Sequence, residues 1–240
     1  MDYFEHYKRV NDLSDEGRRS HWKPLDSKIG QFLPANKEAT IVDVGCGAGI
    51  LLEWLEAKGY RKAVGVDPDR GQVEFCRKLG MRAEQVVNTA EWLREQSGID
   101  LLIMKDILEH IPADQVTDIL TSSVAALAEH GRIVIVVPNA AASFASYWQY
   151  LDATHIRTYT EIVMRVELEQ AGFRIEYVGG DDTWVASSIG GLIRLFLRIL
   201  FRGFRRLEMI AEFGAQGLRM PLALNMIIVA RASDEKITGR

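Results

Sequence analysis

Ile41-Val42-Asp43-Val44-Gly45-Cys46-Gly47-Ala48-Gly49 is the stretch that decides the fold of this chain of 240 residues. Its first half is a short, mostly apolar run rich in β-branched residues, which is typical of a strand buried on both faces. Glycines at alternate positions then permit a tight turn, whose backbone N–H groups a ligand can approach without meeting a Cβ atom. The apolar periodicity of residues 50–58 predicts a helix directly after the turn. Strand, glycine loop and helix in this order indicate a nucleotide-binding α/β domain.

Short apolar runs alternate with stretches of helical periodicity over residues 40–180. Such alternation predicts βαβ units and therefore a parallel sheet that is covered by helices on both faces. We expect a Rossmann-like, doubly wound α/β fold with a mostly parallel seven-stranded sheet, an antiparallel last strand and helical lid elements. The predicted strands are 40–44, 63–66, 83–87, 101–105, 132–137, 174–178 and 222–230. The predicted helices include 50–58, 71–79, 114–129 and 161–171.

Two acidic residues flank the glycine loop. Asp43 lies two residues before the first glycine, where its carboxylate can face the ammonium group of a ligand. Asp67 ends the second predicted strand, where an acid binds a ribose diol in nucleotide-binding Rossmann domains. The third glycine comes one position earlier than in the dinucleotide fingerprint, and a pyrophosphate is a poor neighbour for Asp43. An NAD-dependent dehydrogenase is therefore the less favoured interpretation.

The pattern Asp-x-Gly-x-Gly-x-Gly, followed by an acid at the end of the next strand, resembles class I SAM-dependent methyltransferases over about residues 38–180. The resemblance implies S-adenosylmethionine (SAM) as cofactor and S-adenosylhomocysteine as product. It implies that the loop holds the methionine part of SAM, that Asp67 binds the ribose, and that residues after the third strand lie beside the adenine. The implied cofactor-binding residues are Asp43, Gly45, Cys46, Gly47, Gly49, Asp67, Pro68, Asn88, Thr89 and Lys105.

A second polar group follows the fourth predicted strand, in the segment 106–110. Ligands of open α/β sheets bind outside the carboxyl ends of the strands, so this segment is expected at the site. Its acid-x-x-Glu-His pattern is similar to a branch with the O-methyltransferases of ubiquinone synthesis, which implies Asp106, Glu109 and His110 as ligands of Mg²⁺ or Mn²⁺. Two other interpretations stay open: His110 acts in catalysis, or Glu109 and His110 only cap a helix and bond neighbouring loops.

His155 lies in the segment after the fifth predicted strand, behind the aromatic run Tyr147-Trp148-Gln149-Tyr150. The topology places this segment over the acceptor, for which aromatic rings provide flat walls. A hydroxyl acceptor benefits from a general base, because it barely ionises at neutral pH. We expect His155 to be that base and His110 to be the second candidate. The alternative for His155 is a structural residue that ties the loop to the sheet.

The expected reaction is therefore O-methylation of a saccharide, a glycan or another hydroxylated metabolite. Two alternatives stay open: N- or C-methylation of a small molecule, and a SAM-binding module that has lost catalysis and works through interactions. The methyltransferase domain is predicted to span residues 36–240, with residues 1–35 as an N-terminal helical cover and a helical insertion at 180–221.

Residues 187–213, within the insertion, form an amphipathic segment with Arg194, Arg198, Arg202 and Arg205 on one face. A basic amphipathic helix can contact an anionic membrane surface, an acidic acceptor or a second copy in a homodimer. The alternative is a lid helix that packs on the sheet with its arginines in solvent.

Composition sets further limits. A net charge of −4 and a pI near 5.8 provide no overall positive field for phosphates, so nucleic acid is not an expected partner. Two cysteines, without a metal-binding spacing, indicate reduced thiols. The polar N-terminus lacks the apolar core of a signal peptide, and the sequence predicts no transmembrane helix. We expect a cytoplasmic protein, with a peripheral position at the inner membrane surface as an alternative.

Overall fold

A seven-stranded sheet forms the centre of the protein. The strands are β1 (Ile41–Val44), β2 (Val64–Asp67), β3 (Ala83–Gln85), β4 (Ile99–Lys105), β5 (Leu127–Pro138), β6 (Phe173–Gly180) and β7 (Asn225–Ala232). Their order is β3-β2-β1-β4-β5-β7-β6, and β7 runs antiparallel to both of its neighbours. The other pairs are parallel. The predicted Rossmann-like sheet with an antiparallel last strand is confirmed.

The computed structural model describes residues 3–181 and 188–233. Residues 1–2 of the predicted N-terminal cover, 182–187 of the predicted insertion and 234–240 at the end of the predicted domain lie outside the described residues. Among the residues that are described, no helix combines the length and the apolar character that crossing a membrane requires.

Helices cover both faces of the sheet. They are α1 (Tyr3–Val10), α2 (Asp15–Ser20), α3 (Trp22–Lys28), α4 (Ile50–Ala57), α5 (Arg70–Lys78), α6 (Thr89–Arg94), α7 (Ala113–Ala126), α8 (Ala145–Leu151), α9 (Glu161–Ala171) and α10 (Ile189–Phe213). Side chains of a strand alternate between faces: in β4, Leu102 and Met104 belong to the hydrophobic cluster that contains residues of α6, α7 and α9. Leu101 and Ile103 belong to the cluster that contains residues of α3, α4 and α5.

The predicted helix end at 129 and the predicted strand starts at 132 and 222 are wrong, and all three are displaced by tertiary contacts. The helix predicted at 114–129 ends at Ala126, because Leu127 already pairs with Ile99 of β4. The strand predicted to begin at 222 begins at Asn225, because the side-chain amide of Asn139 binds the carbonyl oxygens of Pro221 and Ala223 at 2.8 and 2.9 Å. The segment that connects α10 to β7 is thereby tied to the carboxyl end of β5.

The N-terminal helices are held against the domain by polar contacts. The guanidinium of Arg18, a buried residue of α2, donates to the Glu53 carboxylate of α4 at 3.0 Å. The indole N–H of Trp54 donates to Asp26 of α3 at 3.1 Å. These contacts place α2 and α3 beside the helix that follows the glycine loop.

α10 turns most of its apolar side chains outward. Met209 is buried, whereas Leu192, Phe196, Ile199, Leu200 and nearby apolar residues of the helix are exposed. In the second half of the helix, the side opposite these apolar residues faces the rest of the protein. There the guanidinium of Arg206 donates to the carbonyl of Gly217. A lid helix that packs its apolar side on the sheet is therefore the wrong interpretation of this segment.

Candidate active site

The glycine loop after β1 is closely packed on two sides. Gly45 and Gly49 adopt φ angles of 72° and 77°, which side chains other than glycine rarely adopt. A Cβ atom on Gly45 would lie 2.8 Å from Ile107, and one on Gly49 would lie 2.8 Å from the sulfur of Cys76. The loop therefore fits between the segment after β4 and helix α5 only with glycine at both positions.

Asp67, at the end of β2, holds this loop in place. One carboxylate oxygen accepts the N–H of Gly47 at 2.9 Å, and the other accepts the N–H of Asp69 at 2.8 Å. Burial raises the pKa of Asp67, although these two hydrogen bonds act in the opposite direction. Each carboxylate oxygen has a second lone pair, so Asp67 can still accept hydrogen bonds from ligand hydroxyls.

Asp43 is a buried carboxyl group at the base of the loop, with 3% of its surface exposed. Burial raises its pKa to about 7; the positive charge of Lys105 opposes this shift, and the negative charge of Asp67 adds to it. A carboxyl group in this state is half protonated near neutral pH. A cation brought next to it would restore the ionised form.

Lys105 and Asp106 form an ion pair at the end of β4. Burial acts against the charged form of Lys105, but the carboxylates of Asp106 and Asp43 outweigh it, so the pKa of Lys105 is raised. Asp106 has a φ of 54°, which makes it the non-glycine residue with a left-handed backbone among those described. A left-handed residue at the edge of a site is typical of functional positions.

The N-terminal helices reach the same edge of the sheet. Burial raises the pKa of Tyr7 in α1, and the charges of Lys105 and Asp106 also act on it. Burial, followed by the charges of Lys105 and Lys28, lowers the pKa of His21, which lies between α2 and α3. No motif around Tyr7 or His21 pointed to a role of these residues at the site.

Three further residues predicted to bind the cofactor, Pro68, Asn88 and Thr89, lie after β2 and β3. Pro68 is exposed, and its carbonyl accepts the side-chain amide of Gln85 at 3.1 Å. Asn88 is the N-cap of α6, where its side chain accepts the N–H of Glu91 at 3.2 Å, and Thr89 is the first residue of that helix. Asn88 is therefore occupied by a structural hydrogen bond.

Cys46 is a buried thiol within the loop. A hydrogen bond with Cys76, and then burial, raise the pKa of the Cys46 thiol, so it stays protonated. The side chain of Cys46 therefore acts in packing, consistent with the reduced thiols expected from the sequence.

His110 and His155 face each other, with ring centroids 4.8 Å apart. Nδ1 of His155 lies 3.1 Å from the carbonyl oxygen of Trp148, which can only accept, so this nitrogen carries the proton. Nδ1 of His110 lies 2.9 Å from the hydroxyl oxygen of Thr154, and that hydroxyl donates to Asp152 at 2.6 Å. Nδ1 of His110 is therefore also the donor. Both rings keep an Nε2 lone pair for other partners.

Glu109 lies between Asp106 and the two histidines and is fully buried. Burial raises its pKa to about 8, and the negative charge of Asp106 adds to the shift. Its Oε2 atom is buried and has no hydrogen-bond partner among the described residues. Burial, and then the neighbouring His155, lower the pKa of His110, so this imidazole is neutral at physiological pH.

Two hydrogen bonds to main-chain carbonyl groups hold the segment of His110 against the segment of His155. The carbonyl oxygen of Glu109 accepts the N–H of Ile156 at 2.8 Å. The hydroxyl of Tyr159 donates to the carbonyl oxygen of Leu108 at 3.0 Å. On the adjoining helix α8, Tyr147 and Tyr150 expose their rings.

The three residues predicted as metal ligands do not form one group in the structure. Glu109, His110 and His155 each offer a ligand atom, and these atoms lie within 4.8 Å of one another. Asp106 lies outside that group and is paired with Lys105. His155 takes the place that the sequence pattern assigned to Asp106.

Comparison with known proteins relates the chain to methyltransferases. A family model described as a methyltransferase domain matches residues 16–178. The ubiquinone biosynthesis O-methyltransferase of Rickettsia conorii is 23% identical over 126 residues, which are 51% of this chain and 43% of that protein. The cyclosporin synthetase simA of Tolypocladium inflatum is 22% identical over 173 residues, which are 68% of this chain and 1% of that protein. The chain spans less than half the length of these curated relatives.

Solved structures share the fold over nearly the whole chain. A SAM-dependent methyltransferase from Archaeoglobus fulgidus superposes with a TM-score of 0.67 and 19% identity, and the match covers 95% of this chain and 99% of that one. Magnesium protoporphyrin IX methyltransferase from Synechocystis, solved with bound SAM, gives 0.58 and 15%, with 96% and 91% covered. Because the family match covers more than half of the sequence, the chain belongs to the class I SAM-dependent methyltransferases.

Proposed function

We propose that this protein transfers the methyl group of SAM to a hydroxyl group of a saccharide or another hydroxylated metabolite, with His155 as general base. The observation that carries the proposal is the pair of imidazoles beside Glu109. Each ring has its Nδ1 proton committed to a hydrogen bond, and His110 is neutral at physiological pH. The Oε2 atom of Glu109 is a buried polar atom without a partner among the described residues.

The residues at the loop fit SAM. Asp43 is a buried carboxyl group whose pKa of about 7 an ammonium group would lower, and the methionine part of SAM carries such a group. Asp67 would accept the ribose hydroxyls while it keeps the loop in place. The glycines, with Cys46, would bring the main chain close to the methionine part, and Lys105 would lie near its carboxylate. Pro68, Asn88 and Thr89 would border the adenine.

When bound, SAM would supply a methyl group activated by its sulfonium sulfur, with S-adenosylhomocysteine as the leaving group. The task of the chain is to hold the acceptor oxygen and to take up its proton. A hydroxyl directed at Nε2 of His155 would donate its proton there as the C–O bond forms. Glu109, which is protonated at neutral pH, would donate a hydrogen bond to a neighbouring acceptor oxygen. A general base contributes about 10²–10⁴-fold to such a step.

A base-rich site favours a hydroxyl over an amine acceptor. A free amine already presents its lone pair and loses its proton after the transition state, so it needs little help from a general base. The exposed rings of Tyr147 and Tyr150 would provide flat apolar walls, which suit a sugar or an aromatic ring.

The substitution His155→Asn distinguishes a role of His155 as general base from a purely structural role. The asparagine amide can still donate to the carbonyl of Trp148, but it has no counterpart of the Nε2 lone pair. With tritiated SAM and panels of sugar, phenol and amine acceptors, we expect kcat to fall about 10²–10⁴-fold while the Kd for SAM stays unchanged. His110→Asn is the matched variant and should cost less. Robust transfer to amines alone, with little loss in His155→Asn, would reject the hydroxyl acceptor and favour N-methylation.

A divalent cation at Glu109, His110 and His155 is the second candidate role of this group, favoured by the proximity of their ligand atoms. Two imidazoles suit Mg²⁺ poorly, because Mg²⁺ prefers oxygen ligands. Mn²⁺ is therefore the better cation to test, and Asp106 would join only after leaving Lys105. Activity that survives thorough chelation with EDTA would reject a metal, and activity restored by Mn²⁺ would support one. A protein that binds SAM and transfers nothing to any panel would be the interaction module.

A further inference from the structure

The exposed side of α10 is an apolar surface that no described residue covers. Phe196 and Phe204 expose 64% and 63% of their surface. Ten exposed apolar residues share one side of the helix, which we call the α10 apolar face: Ile189, Leu192, Ile193, Phe196, Leu197, Ile199, Leu200, Phe201, Phe204 and Leu207. Phe213, the last residue of α10, is also exposed but lies on the other side. At 100° per residue the positions of the α10 apolar face cover about 200° of the helix circumference. Contiguous apolar surface of this kind marks an interaction site.

The other side of α10 is cationic. Arg194, Arg198, Arg202, Arg205 and Arg206 lie there, and the helix carries no acidic residue before Glu208. Arg202 and Arg206 line a cleft of about 400 Å³ between the helix and the end of β6. Arg194 is exposed and lies next to the border of the α10 apolar face. Positive charge is therefore concentrated on one side of α10, although the net charge of the chain is −4.

We propose that α10 lies in the surface of an anionic phospholipid bilayer, with the α10 apolar face among the upper acyl chains. An interfacial helix needs a broad apolar side, a cationic polar side and too much charge to span the membrane, and α10 has all three. Attraction between anionic headgroups and the exposed Arg194 and Arg198 opposes the repulsion that the net negative charge of the protein would otherwise cause. This inference goes beyond the proposed methyl transfer and does not depend on it.

The shape of the face favours lipid over a second copy of the chain. Packing between two helices buries a stripe about 100° wide. A dimer formed through α10 would therefore leave about half of the α10 apolar face in water, whereas a fluid bilayer can cover its full width.

The docked helix would bring the site close to the membrane. The cleft under α10 is bordered by Gly180 at the carboxyl end of β6 and by Pro221. The side chain of Asn139, at the carboxyl end of β5, binds the carbonyl of Pro221. The helix therefore lies at the edge of the sheet where β4 delivers the Lys105–Asp106 pair, and the geometry suits an acceptor that is itself embedded in lipid.

Flotation of the full chain with vesicles tests the inference. We expect binding to phosphatidylcholine vesicles that contain about three-tenths phosphatidylglycerol and at least tenfold less to pure phosphatidylcholine. The double variant Phe196→Glu, Phe204→Glu should lower binding at least tenfold, because it places two charges in the apolar face. Ile162→Glu with Val166→Glu is the matched control, since these residues are exposed on α9 at 49% and 46%, and it should bind as the wild type does.

The other outcomes overturn the inference. A wild-type chain that does not float with anionic vesicles rejects it, as does a Phe196→Glu, Phe204→Glu protein that floats equally well. Sedimentation velocity identifies a second copy as the occupant, if the chain is a dimer that the double variant dissociates and vesicles do not bind. Should the double variant fail to fold in circular dichroism, Phe196→Trp replaces it: quenching by lipids brominated in the upper acyl chain supports insertion, and unchanged emission rejects it.

Discussion

Affinity for SAM should report the ionisation of Asp43. The buried carboxyl group has a pKa of about 7, and an ammonium group pairs only with the ionised form. The ionised fraction is about one half at pH 7 and about one hundredth at pH 5, so the association constant should fall about fiftyfold between them. The amino group of the ligand stays protonated over this range, because α-amino groups have a pKa of about 7.7–8.0.

Isothermal titration calorimetry at pH 5, 6 and 7 measures this dependence, and buffers of different ionisation enthalpy count the protons released. Asp43→Asn keeps the shape of the side chain but removes the titration, so its affinity should be low and nearly independent of pH. Loss of one partner of a buried ion pair costs about 3–5 kcal/mol, which is at least about a hundredfold at pH 7. Asp100→Asn, at the opposite end of β4, is the control. A flat wild-type profile, or an Asp43→Asn protein that keeps the slope, would refute the reasoning.

Three further outcomes follow from buried charges. The folded state raises the pKa values of Asp43 and Glu109 to about 7 and 8, from 3.8 and 4.5. It therefore binds protons more tightly than the unfolded state, and the ligand-free protein should lose stability as the pH rises from about 4 to 8. Calorimetric Tm should fall over this range, and Glu109→Gln should lessen the fall. Asp67→Ala removes the acceptor for the N–H of Gly47 and should weaken SAM binding at least about a hundredfold, whereas equal affinity would contradict its assignment. Arg18→Met leaves Glu53 unpaired and should cost about 2 kcal/mol in urea unfolding, discounted for the partial exposure of Glu53; Arg18→Met with Glu53→Met should recover most of it.

Local patterns were sufficient to predict that the glycine loop and Asp67 lie together. The strand, the glycine loop and Asp67 are separated by fixed numbers of residues along one βαβ unit, so their spacing alone predicts how they meet. The same holds for the alternation that predicts the sheet. Boundaries failed where distant residues intervene, as at Leu127, which Ile99 draws into β5, and at Leu222, which lies in the segment that Asn139 holds outside the last strand.

The group of Glu109, His110 and His155 depends on contacts between distant segments. The sequence indicated both His110 and His155, but it did not show that their rings meet or that Thr154 fixes the proton on one of them. A sequence pattern that matched Asp106 to a metal could not show its pairing with Lys105. For α10, periodicity showed that the helix has two sides, and only the tertiary structure shows which side is turned outward.

The hydrogen bonds that join residues 108–109 to 156–159 use carbonyl groups of the main chain. Exchange of the side chains at 109 and 156 would not remove the bond between their backbones. The spacing of the two imidazoles is thereby less sensitive to substitution of the exposed Tyr147 and Tyr150 on α8. If the proposed acceptor site is right, a library at these two positions can select new acceptor preferences without rebuilding the pair of imidazoles.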